Sequence, residues 1–346
     1  MAVNSTVRPA ARLSEATLRE MYGTMLLARR LDERAWALHR QGHIAFHISG
    51  IGQEAAQVAA VYAINRGIDF VAPYYRDLAM LLALGMPPTD FMLSLFGKHD
   101  ISSGGRQMPF HWSFKHLNVI SGSAVVTTQV PHAAGLAFSI KYRQQTGMVD
   151  PQDTTQPRLA LTCLGEGSTS QGEWHEAMNW AGVHKLPMIC FVQNNMYAIS
   201  EKPHQQMAVA NVADRASAYG VAGAVVDGND VLAVYDAMAE AVERAYNGDG
   251  ATLLEAKMYR LTPHSSDDDD RTYRSREEIE HWKAKDGILR FRQHLIDTGV
   301  MTEADADDYD ARARAETDRA QQEMEAAPMP APEEALGDLY APTESD

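Results

Sequence analysis

The stretch that decides the fold is "RLALTCLGEGSTSQGEWHEAMNWAGVHKLPMICFVQNN", residues 158–195. It contains two continuous apolar runs, "RLALTCL" and "MICFVQ", bounded by Gly, Pro and Asn, a pattern typical of parallel strands covered on both faces. Between them, "GEWHEAMNWAGV" places four apolar residues on one face of a helix: Trp174, Ala177, Met178 and Ala181. The stretch therefore predicts a strand, a helix and a second strand.

The same alternation continues toward the C-terminus. A helix is predicted near "VADRASAY", a strand at "AGAVV", a helix at "VLAVYDAMAEAVERAY" and a strand at "ATLLEAKMYR". This order predicts an α/β fold with a doubly wound parallel sheet flanked by helices. In such sheets ligands bind beyond the carboxyl ends of the strands, where both halves of the opening stretch lie.

Helical spacing of apolar residues also marks both flanks of the sheet region. Residues 14–40 and the segment "GQEAAQVAAVYAIN" predict N-terminal helices, and helical sequence runs from the polar segment after residue 260 to about residue 325. We therefore divide the chain into a helical N-terminal extension (1–65), an α/β domain (66–262), and a loop with C-terminal helices and a tail (263–346).

Composition narrows the classes of function. With 346 residues, 45% of them hydrophobic, and a formal charge of -15, the chain is an acidic globular protein, and nucleic acid is a poor partner because its phosphates need basic side chains. Apolar runs such as "MICFV" are too short to span a bilayer. Cys163 and Cys190 lie inside apolar runs, which predicts buried reduced thiols and a cytoplasmic location.

An acid between two glycines follows the first predicted strand, and a pair of asparagines follows the second. Glu166 and Asn195 should converge, because the carboxyl ends of parallel strands meet at one edge of the sheet. Their oxygens suit Mg²⁺, which takes its other ligands from a diphosphate. The backbone amides of Gly167 and Ser168 would complete the anion site.

Two other interpretations of this stretch stay open at this point. A dinucleotide-binding loop fits poorly, because "GEGSTSQG" lacks the G-x-G-x-x-G spacing and carries an acid where a pyrophosphate would be repelled. Two ordinary turns at strand ends are the simpler alternative, since Gly and Asn are common turn residues.

The stretch resembles the thiamine diphosphate motif, a glycine-acid-glycine followed by paired asparagines. Nearly the whole chain resembles the alpha subunit of the decarboxylating component of 2-oxo acid dehydrogenase complexes, most closely the branched-chain (2-oxoisovalerate) type. The resemblance is carried, in order, by "APYYRDLAMLLALG", "GRQMPFHW", "TQVPHAAG", "GEGSTSQGEWHEAMNWA", "QNNMYAIS", "VDGNDVLAVY" and "YRLTPHSSDDDDRTYRS".

The resemblance implies thiamine diphosphate and Mg²⁺ as cofactors. Glu166, Asn195 and the backbone carbonyl of Tyr197 would hold the Mg²⁺. Tyr75 and Arg76 would contact the diphosphate, with the guanidinium as a charge-assisted donor.

Three further positions are implied to shape the cofactor site. Val126 matches the aliphatic wedge beneath the cofactor, and Ala124 replaces a serine that is usual two residues earlier. Gln193 stands where some relatives carry an arginine that reaches the phosphates. Both replacements predict a cofactor affinity that differs from that of relatives.

A monovalent cation, K⁺, binds in some relatives at positions that match Ser123, Thr128 and Gln129. The alternative is that these residues cap the helix predicted at "PHAAGLAFSIKY".

His264 is the predicted catalytic residue. In the family, the histidine of this segment lies over the cofactor, where an imidazole that titrates near neutrality can donate or accept protons. For a histidine in a loop, simple exposure is the alternative.

The loop after His264 carries an acid run at residues 267–270 that would by default be solvated. In the family this loop is ordered, and Arg260, Arg271 and Arg274 are available as partners for its acids. Ser265 matches a serine that is phosphorylated in mitochondrial relatives, where the added charge would disorder the loop. It is the regulatory candidate.

The segment "HIAFH" contains a candidate pair of metal ligands and a candidate substrate contact. His43 and His47 are four residues apart, the spacing of a helical metal pair, but no acidic third ligand follows and a zinc site is disfavoured. Phe46 matches an apolar position that faces the substrate in the family, as does Tyr75, and could form a wall for a branched side chain.

The implied reaction is oxidative decarboxylation of a branched-chain 2-oxo acid, 3-methyl-2-oxobutanoate, with acyl transfer to lipoyl groups of an acyltransferase core, a step of branched-chain amino acid catabolism. A separate beta subunit would complete the site in a heterotetramer of two alpha and two beta chains. The alternatives are a pyruvate or acetoin dehydrogenase alpha subunit, a non-catalytic scaffold that binds the cofactor, and a nucleotide-dependent oxidoreductase.

Overall fold

Five parallel strands form one sheet in a computed structural model, which describes residues 13–148 and 158–337. The strands are β1 (Phe70–Ala72), β2 (Ala160–Gly165), β3 (Met188–Asn194), β4 (Ala222–Asp227) and β5 (Thr252–Lys257). Their order across the sheet is β1-β2-β3-β5-β4. The predicted parallel sheet is confirmed, and β1 joins it as a short strand that the sequence pattern did not reveal.

Helices flank the sheet and extend the chain at both of its ends. Those described are α1 (Glu15–Arg40), α2 (Glu54–Tyr62), α3 (Leu78–Leu84), α4 (Pro88–Phe96), α5 (Gln129–Thr146), α6 (Gly172–Val183), α7 (Pro203–Gln206), α8 (Val231–Tyr246), α9 (Arg276–Lys283), α10 (Gly287–Asp297) and α11 (Glu303–Ala326). The predicted helix at "VADRASAY" is a 3₁₀ helix, Val212–Tyr219. Residues 338–346 of the predicted tail lie outside the described residues.

The apolar pattern of the opening stretch is buried as predicted. All seven residues of β3 are buried, and the inward face of α6 consists of Trp174, Ala177, Met178 and Ala181. Burying a large apolar side chain contributes about 1.5–3 kcal/mol, so this face fixes how α6 lies on the sheet. Both cysteines are buried free thiols, so the prediction that they are buried and reduced is confirmed.

The helical extensions belong to the same core as the sheet. Helix α1 begins at Ser14, whose side chain accepts a hydrogen bond from the Thr17 amide, and it packs against α2 and α11. Buried residues of α1, α2, α10 and α11 form one hydrophobic cluster with residues of β2, β3 and β5. Across residues 13–148 and 158–337, none of the helices combines the length and apolar character needed to cross a bilayer.

Candidate active site

A cavity of about 400 Å³ lies at the carboxyl ends of four neighbouring strands, β1, β2, β3 and β5. The loops that follow these strands form much of its wall. All ten residues that the sequence proposed for cofactor, substrate or catalysis line it: Phe46, Tyr75, Arg76, Val126, Glu166, Gly167, Ser168, Asn195, Tyr197 and His264. The parallel sheet thus brings together segments up to about two hundred residues apart in sequence.

Glu166 directly follows β2 and faces the end of β3. β2 and β3 pair in parallel with Gly165 opposite Gln193, which brings the residues after the two strands together. The Glu166 Oε2 atom accepts a hydrogen bond from the backbone N–H of Asn195 at 3.3 Å. Its Oε1 atom is buried and has no hydrogen-bond partner within the described part of the chain. Burial raises the pKa of this carboxyl to about 7. A buried carboxylate oxygen of this kind requires a cation or a proton as its partner.

The residues around Glu166 leave little space for side chains. A Cβ atom on Gly167 would lie 2.3 Å from the Ala198 Cβ, so the close approach of the two loops requires glycine there. On the other loop, the Asn195 Oδ1 atom accepts from the Tyr197 amide at 3.3 Å. The Tyr197 carbonyl accepts from Arg260 Nη1 at 3.1 Å and keeps one lone pair for another partner.

Arg76 supplies positive charge beside this acid and is only 2% exposed. Its Nη1 atom donates to the Ser49 carbonyl at 2.5 Å, and its Nη2 atom lies 3.3 Å from His264 Nδ1. Its Nε atom is buried without a hydrogen-bond partner among the described residues. An arginine with an unused donor is suited to an anionic oxygen, because a guanidinium can only donate.

His264 lies beside Arg76 and is neutral at physiological pH. Burial, followed by the nearby charges of Arg76 and Arg260, lowers the pKa of the imidazole to about 3. The expectation that this ring titrates near neutrality is therefore wrong for the chain without ligands. Because Arg76 can only donate, Nδ1 is the acceptor and the ring proton resides on Nε2.

The loop that carries His264 is held by buried and exposed ion pairs. The His264 amide donates to Asp268 Oδ2 at 2.7 Å. Arg274 pairs with Asp270 at 2.5 Å and donates to the carbonyls of Arg260 and Thr262, whereas Arg271 pairs with Asp269 at the surface. These two arginines bind acids of the loop as predicted.

Arg260 corrects the remaining part of that prediction. It donates to the carbonyls of Tyr197, Ile199 and Thr262 and to the Tyr273 hydroxyl. Tyr273 in turn donates to Asp268, so Arg260 reaches the acid run through a tyrosine. Its main effect is to tie the loop after β3 to the loop after β5.

Several apolar residues of the cavity were missed by the sequence reasoning. Ile48, Met108, Pro109, Phe110 and Ile199 line it together with Phe46. Phe110 is 3% exposed and has a φ of 73°, and Ile199 has a φ of 57°. Such backbone conformations are rare for bulky residues and cluster at functional sites. The fragment "GRQMPFHW" contains this phenylalanine, but nothing in the fragment indicated that Phe110 lines the cavity or has a positive φ.

Three predicted positions lie beside the cavity rather than in its wall. The Ser123 hydroxyl accepts from the Val125 amide, and the Thr128 hydroxyl donates to the Val125 carbonyl. Gln129 Nε2 donates to the Cys163 carbonyl at 2.8 Å. Thr128 makes no side-chain cap to α5, so the capping alternative is wrong for this residue.

The two histidines of "HIAFH" lie in different surroundings. His43 is exposed, whereas His47 is fully buried and its Nε2 atom lies 2.6 Å from Asp32 Oδ1. His47 also exchanges hydrogen bonds with Ser266, which docks the His264 loop on the segment that carries Phe46. It is therefore a core histidine paired with an acid.

The serine proposed for regulation is buried within the loop. Ser265 is 8% exposed, and its hydroxyl accepts from the Asp267 amide at 3.4 Å. A modifying enzyme could reach this hydroxyl only if the loop opened first.

The polar groups fit a metal-bound diphosphate. The unpaired Glu166 oxygen, the Asn195 carboxamide and the Tyr197 carbonyl offer the hard oxygen ligands that Mg²⁺ prefers, and the free donor of Arg76 suits a phosphate oxygen. The tight approach at Gly167 is what a backbone anion site requires.

Comparison with known proteins identifies the family of the chain. Residues 22–333 match the family described as dehydrogenase E1 component. The chain is 48% identical to the 2-oxoisovalerate dehydrogenase subunit alpha of Bacillus subtilis (strain 168), over 93% of this chain and 94% of that protein. It is 40% identical to the 3-methyl-2-oxobutanoate dehydrogenase subunit alpha of Mycobacterium tuberculosis (strain CDC 1551 / Oshkosh), over 84% and 74%.

The chain is also similar to a relative that is named for a different substrate. The pyruvate dehydrogenase E1 component subunit alpha of Bacillus subtilis (strain 168) is 38% identical over 87% of this chain and 75% of that protein. The match covers the helical flanks as well as the strand-end loops that form the cavity. On this extent of similarity, the chain belongs to the dehydrogenase E1 component family.

Proposed function

We propose that the chain is the alpha subunit of a thiamine-diphosphate-dependent dehydrogenase that decarboxylates 3-methyl-2-oxobutanoate and related branched-chain 2-oxo acids. One observation carries the proposal: a buried carboxylate oxygen of Glu166 and a buried donor of Arg76, both without a hydrogen-bond partner in residues 13–148 and 158–337, belong to residues that line one cavity. Relatives named for 2-oxoisovalerate and 3-methyl-2-oxobutanoate support the choice of substrate.

Mg²⁺ would be held by Glu166, Asn195 and the Tyr197 carbonyl, and the diphosphate by Arg76 with Tyr75 beside it. The backbone of Gly167 and Ser168 would add amide donors, and Val126 would support the cofactor rings. When bound, thiamine diphosphate supplies an electron sink for cleavage of the bond between the carboxylate and the 2-oxo carbon.

His264 would handle a proton during this chemistry. With its Nδ1 atom beside Arg76, the neutral ring can donate a hydrogen bond from Nε2 to an oxygen that gains negative charge. Burial is the largest cause of the low pKa of His264, and the charges of Arg76 and Arg260 follow. Negative charge brought by a diphosphate would offset the two arginine charges and so raise this pKa, which favours proton acceptance by the imidazole.

The cavity wall supports a substrate with an aliphatic side chain. Phe46, Ile48 and Phe110 form an apolar region, and Phe110 and His47 lie ring to ring with centroids 5.6 Å apart. Pyruvate or acetoin as substrate remains the alternative, because one methylene changes discrimination by only about 1–3 kcal/mol. The polar groups at Glu166 and His264 favour a catalytic subunit over a scaffold that only binds the cofactor.

An exposed aromatic surface supports a partner chain. Phe138 on α5 and Trp180 on α6 are 38% and 46% exposed, and their rings lie 5.8 Å apart beside exposed Tyr142 and Val183. An apolar patch of this kind is typical of a subunit interface. We assign it to assembly with a beta subunit in a heterotetramer of two alpha and two beta chains, which would pass acyl groups to the lipoyl groups of an acyltransferase core.

Four subsidiary assignments belong to the same proposal. Ser123, Thr128 and Gln129 are candidates for binding K⁺, and Ser265 is the candidate for phosphorylation. Two reduced buried cysteines support a cytoplasmic location. The division at residues 65 and 262 assigns the sheet to one segment of the sequence, although Phe46 and His264 on either side of that segment also line the cavity.

The test is activity of the chain alone and after its cognate beta subunit is added, measured as kcat/KM with 3-methyl-2-oxobutanoate and with pyruvate. We expect no decarboxylation by the chain alone and, in the assembly, a preference for 3-methyl-2-oxobutanoate. A preference for pyruvate would overturn the substrate assignment, and full activity of the purified monomer would refute the shared site.

A further inference from the structure

A buried chain of hydrogen bonds joins the loop that carries Arg76 to the end of β3. Gln57 and Gln193 are both 0% exposed. Gln57 Nε2 donates to the Arg76 carbonyl at 3.1 Å and to Gln193 Oε1 at 2.9 Å, while its Oε1 accepts from the Ala79 amide at 3.1 Å. Gln193 Nε2 donates to Asp77 Oδ1 at 2.6 Å.

The partners fix the orientation of both carboxamides. A backbone carbonyl can only accept and a backbone amide can only donate, so the nitrogen of Gln57 must face Arg76 and its oxygen must face Ala79. Gln193 then presents its oxygen to Gln57 and its nitrogen to Asp77. A carboxamide on helix α2 is therefore set in one geometry between two strand ends.

This chain of bonds connects the loop after β1 with β3, two strands that are not neighbours in the sheet. Arg76 follows β1 and Asn195 follows β3, and these two strands are separated by β2. Gln57 is bonded to the residue that follows β1 as well as to β3 itself. It thereby fixes the backbone of Arg76 relative to the oxygen ligands at Glu166 and Asn195.

We infer that Gln57, together with Gln193, is a positioning residue that sets Arg76 for contact with the diphosphate, an inference that rests on the proposed function. The side chain of Gln193 is fully buried and is absent from the cavity wall formed by the described residues. In this chain, residue 193 acts on the diphosphate through Gln57 and Arg76.

The test is a double-mutant cycle of cofactor affinity. The full chain, assembled with its beta subunit, is titrated calorimetrically at saturating Mg²⁺ with thiamine diphosphate and separately with inorganic diphosphate. We expect Gln57→Met to weaken both ligands about tenfold when Arg76 is present, and less than about twofold in the Arg76→Met background, because coupled residues are non-additive. At saturating cofactor, kcat of Gln57→Met should stay within about threefold of the parent.

The control is Thr317→Val, which removes a buried hydrogen bond to the Ala313 carbonyl within α11, away from the cavity. It should leave both affinities unchanged. If Gln57→Met misfolds, Gln193→Met enters the same cycle with the same expected coupling. Equal weakening in both Arg76 backgrounds, or no weakening at all, overturns the inference. If Arg76→Met and Glu166→Gln both bind like the parent, the proposed function fails instead.

Discussion

The two sides of the cavity are built in different ways. Glu166 and Asn195 follow neighbouring strands, so the ladder that pairs Gly165 with Gln193 sets their positions directly. His264 lies on a loop whose position depends on side chains such as Arg260 and Arg274. The metal side, where we propose that Glu166 and Asn195 hold Mg²⁺, is thus positioned by the sheet, whereas the histidine side depends on tertiary hydrogen bonds. Substitutions near Glu166 should therefore affect cofactor binding, whereas substitutions of His264 should affect the chemical step.

The largest effect is expected on the metal side. Glu166→Gln should abolish Mg²⁺-dependent binding of thiamine diphosphate, because removing one charge from a buried pair costs about 3–5 kcal/mol, a loss of a hundredfold or more. Glu173→Gln, an exposed acid on α6, is the control and should bind normally. The measurement is calorimetric titration. Parent affinity in Glu166→Gln would remove the basis for the metal assignment.

On the histidine side, a substitution should change the rate of acyl transfer but not the affinity for the cofactor. His264→Asn should keep its affinity for thiamine diphosphate within about threefold, since an anchor is retained at Arg76, but lose about 10²–10⁴-fold in acyl transfer because a proton carrier is removed. The measurement is a comparison of cofactor affinity with kcat in the assembled enzyme. A variant that runs the reaction at the parent rate would show that His264 has no chemical role.

The order of the loop that carries His264 can be tested without an activity assay. Arg274→Gln should open the loop, because it breaks a buried ion pair and hydrogen bonds to two carbonyls, at a cost of about 2–3 kcal/mol. Arg271→Gln breaks an exposed pair with Asp269 and should cost less than about 1 kcal/mol. Amide hydrogen exchange across residues 263–272 reports both. Equal loss of protection in the two variants would contradict the distinction between buried and exposed arginines.

The smallest effect concerns acid stability. Because the pKa of His264 is about 3 in the folded chain and about 6.5 when unfolded, protons bind the unfolded state more tightly between these values. Stability is then complete above about pH 6.5 and falls with decreasing pH, by about 1.4 kcal/mol from pH 7.5 to 5.5. His264→Asn should lack this component in urea denaturation without cofactor. Identical pH profiles for parent and variant would place the imidazole in contact with solvent.

The sequence predicted the sheet side of the molecule well, because its signals are local. Apolar runs marked β2 and β3, and the proposed metal ligands Glu166 and Asn195 directly follow these strands in the sequence. Strand β1 was missed because three residues are too short for a pattern.

The surroundings of Arg76 and His264 could not be predicted in this way, because they depend on contacts between residues that are distant in sequence. The bond from Gln57 to Gln193 spans 136 residues, and the approach of Arg76 to His264 spans 188. The low pKa of His264 arises mainly from burial, which a residue's neighbours in sequence do not reveal.

The most direct test of the metal-diphosphate site is calorimetric titration of the parent chain, assembled with its beta subunit, with thiamine diphosphate in the presence and absence of Mg²⁺, and with NAD as the rival ligand. The convergence of Glu166, Asn195 and Arg76 predicts binding of thiamine diphosphate that requires Mg²⁺, and no binding of NAD. Binding of NAD, or affinity for thiamine diphosphate that is the same without Mg²⁺, would contradict it.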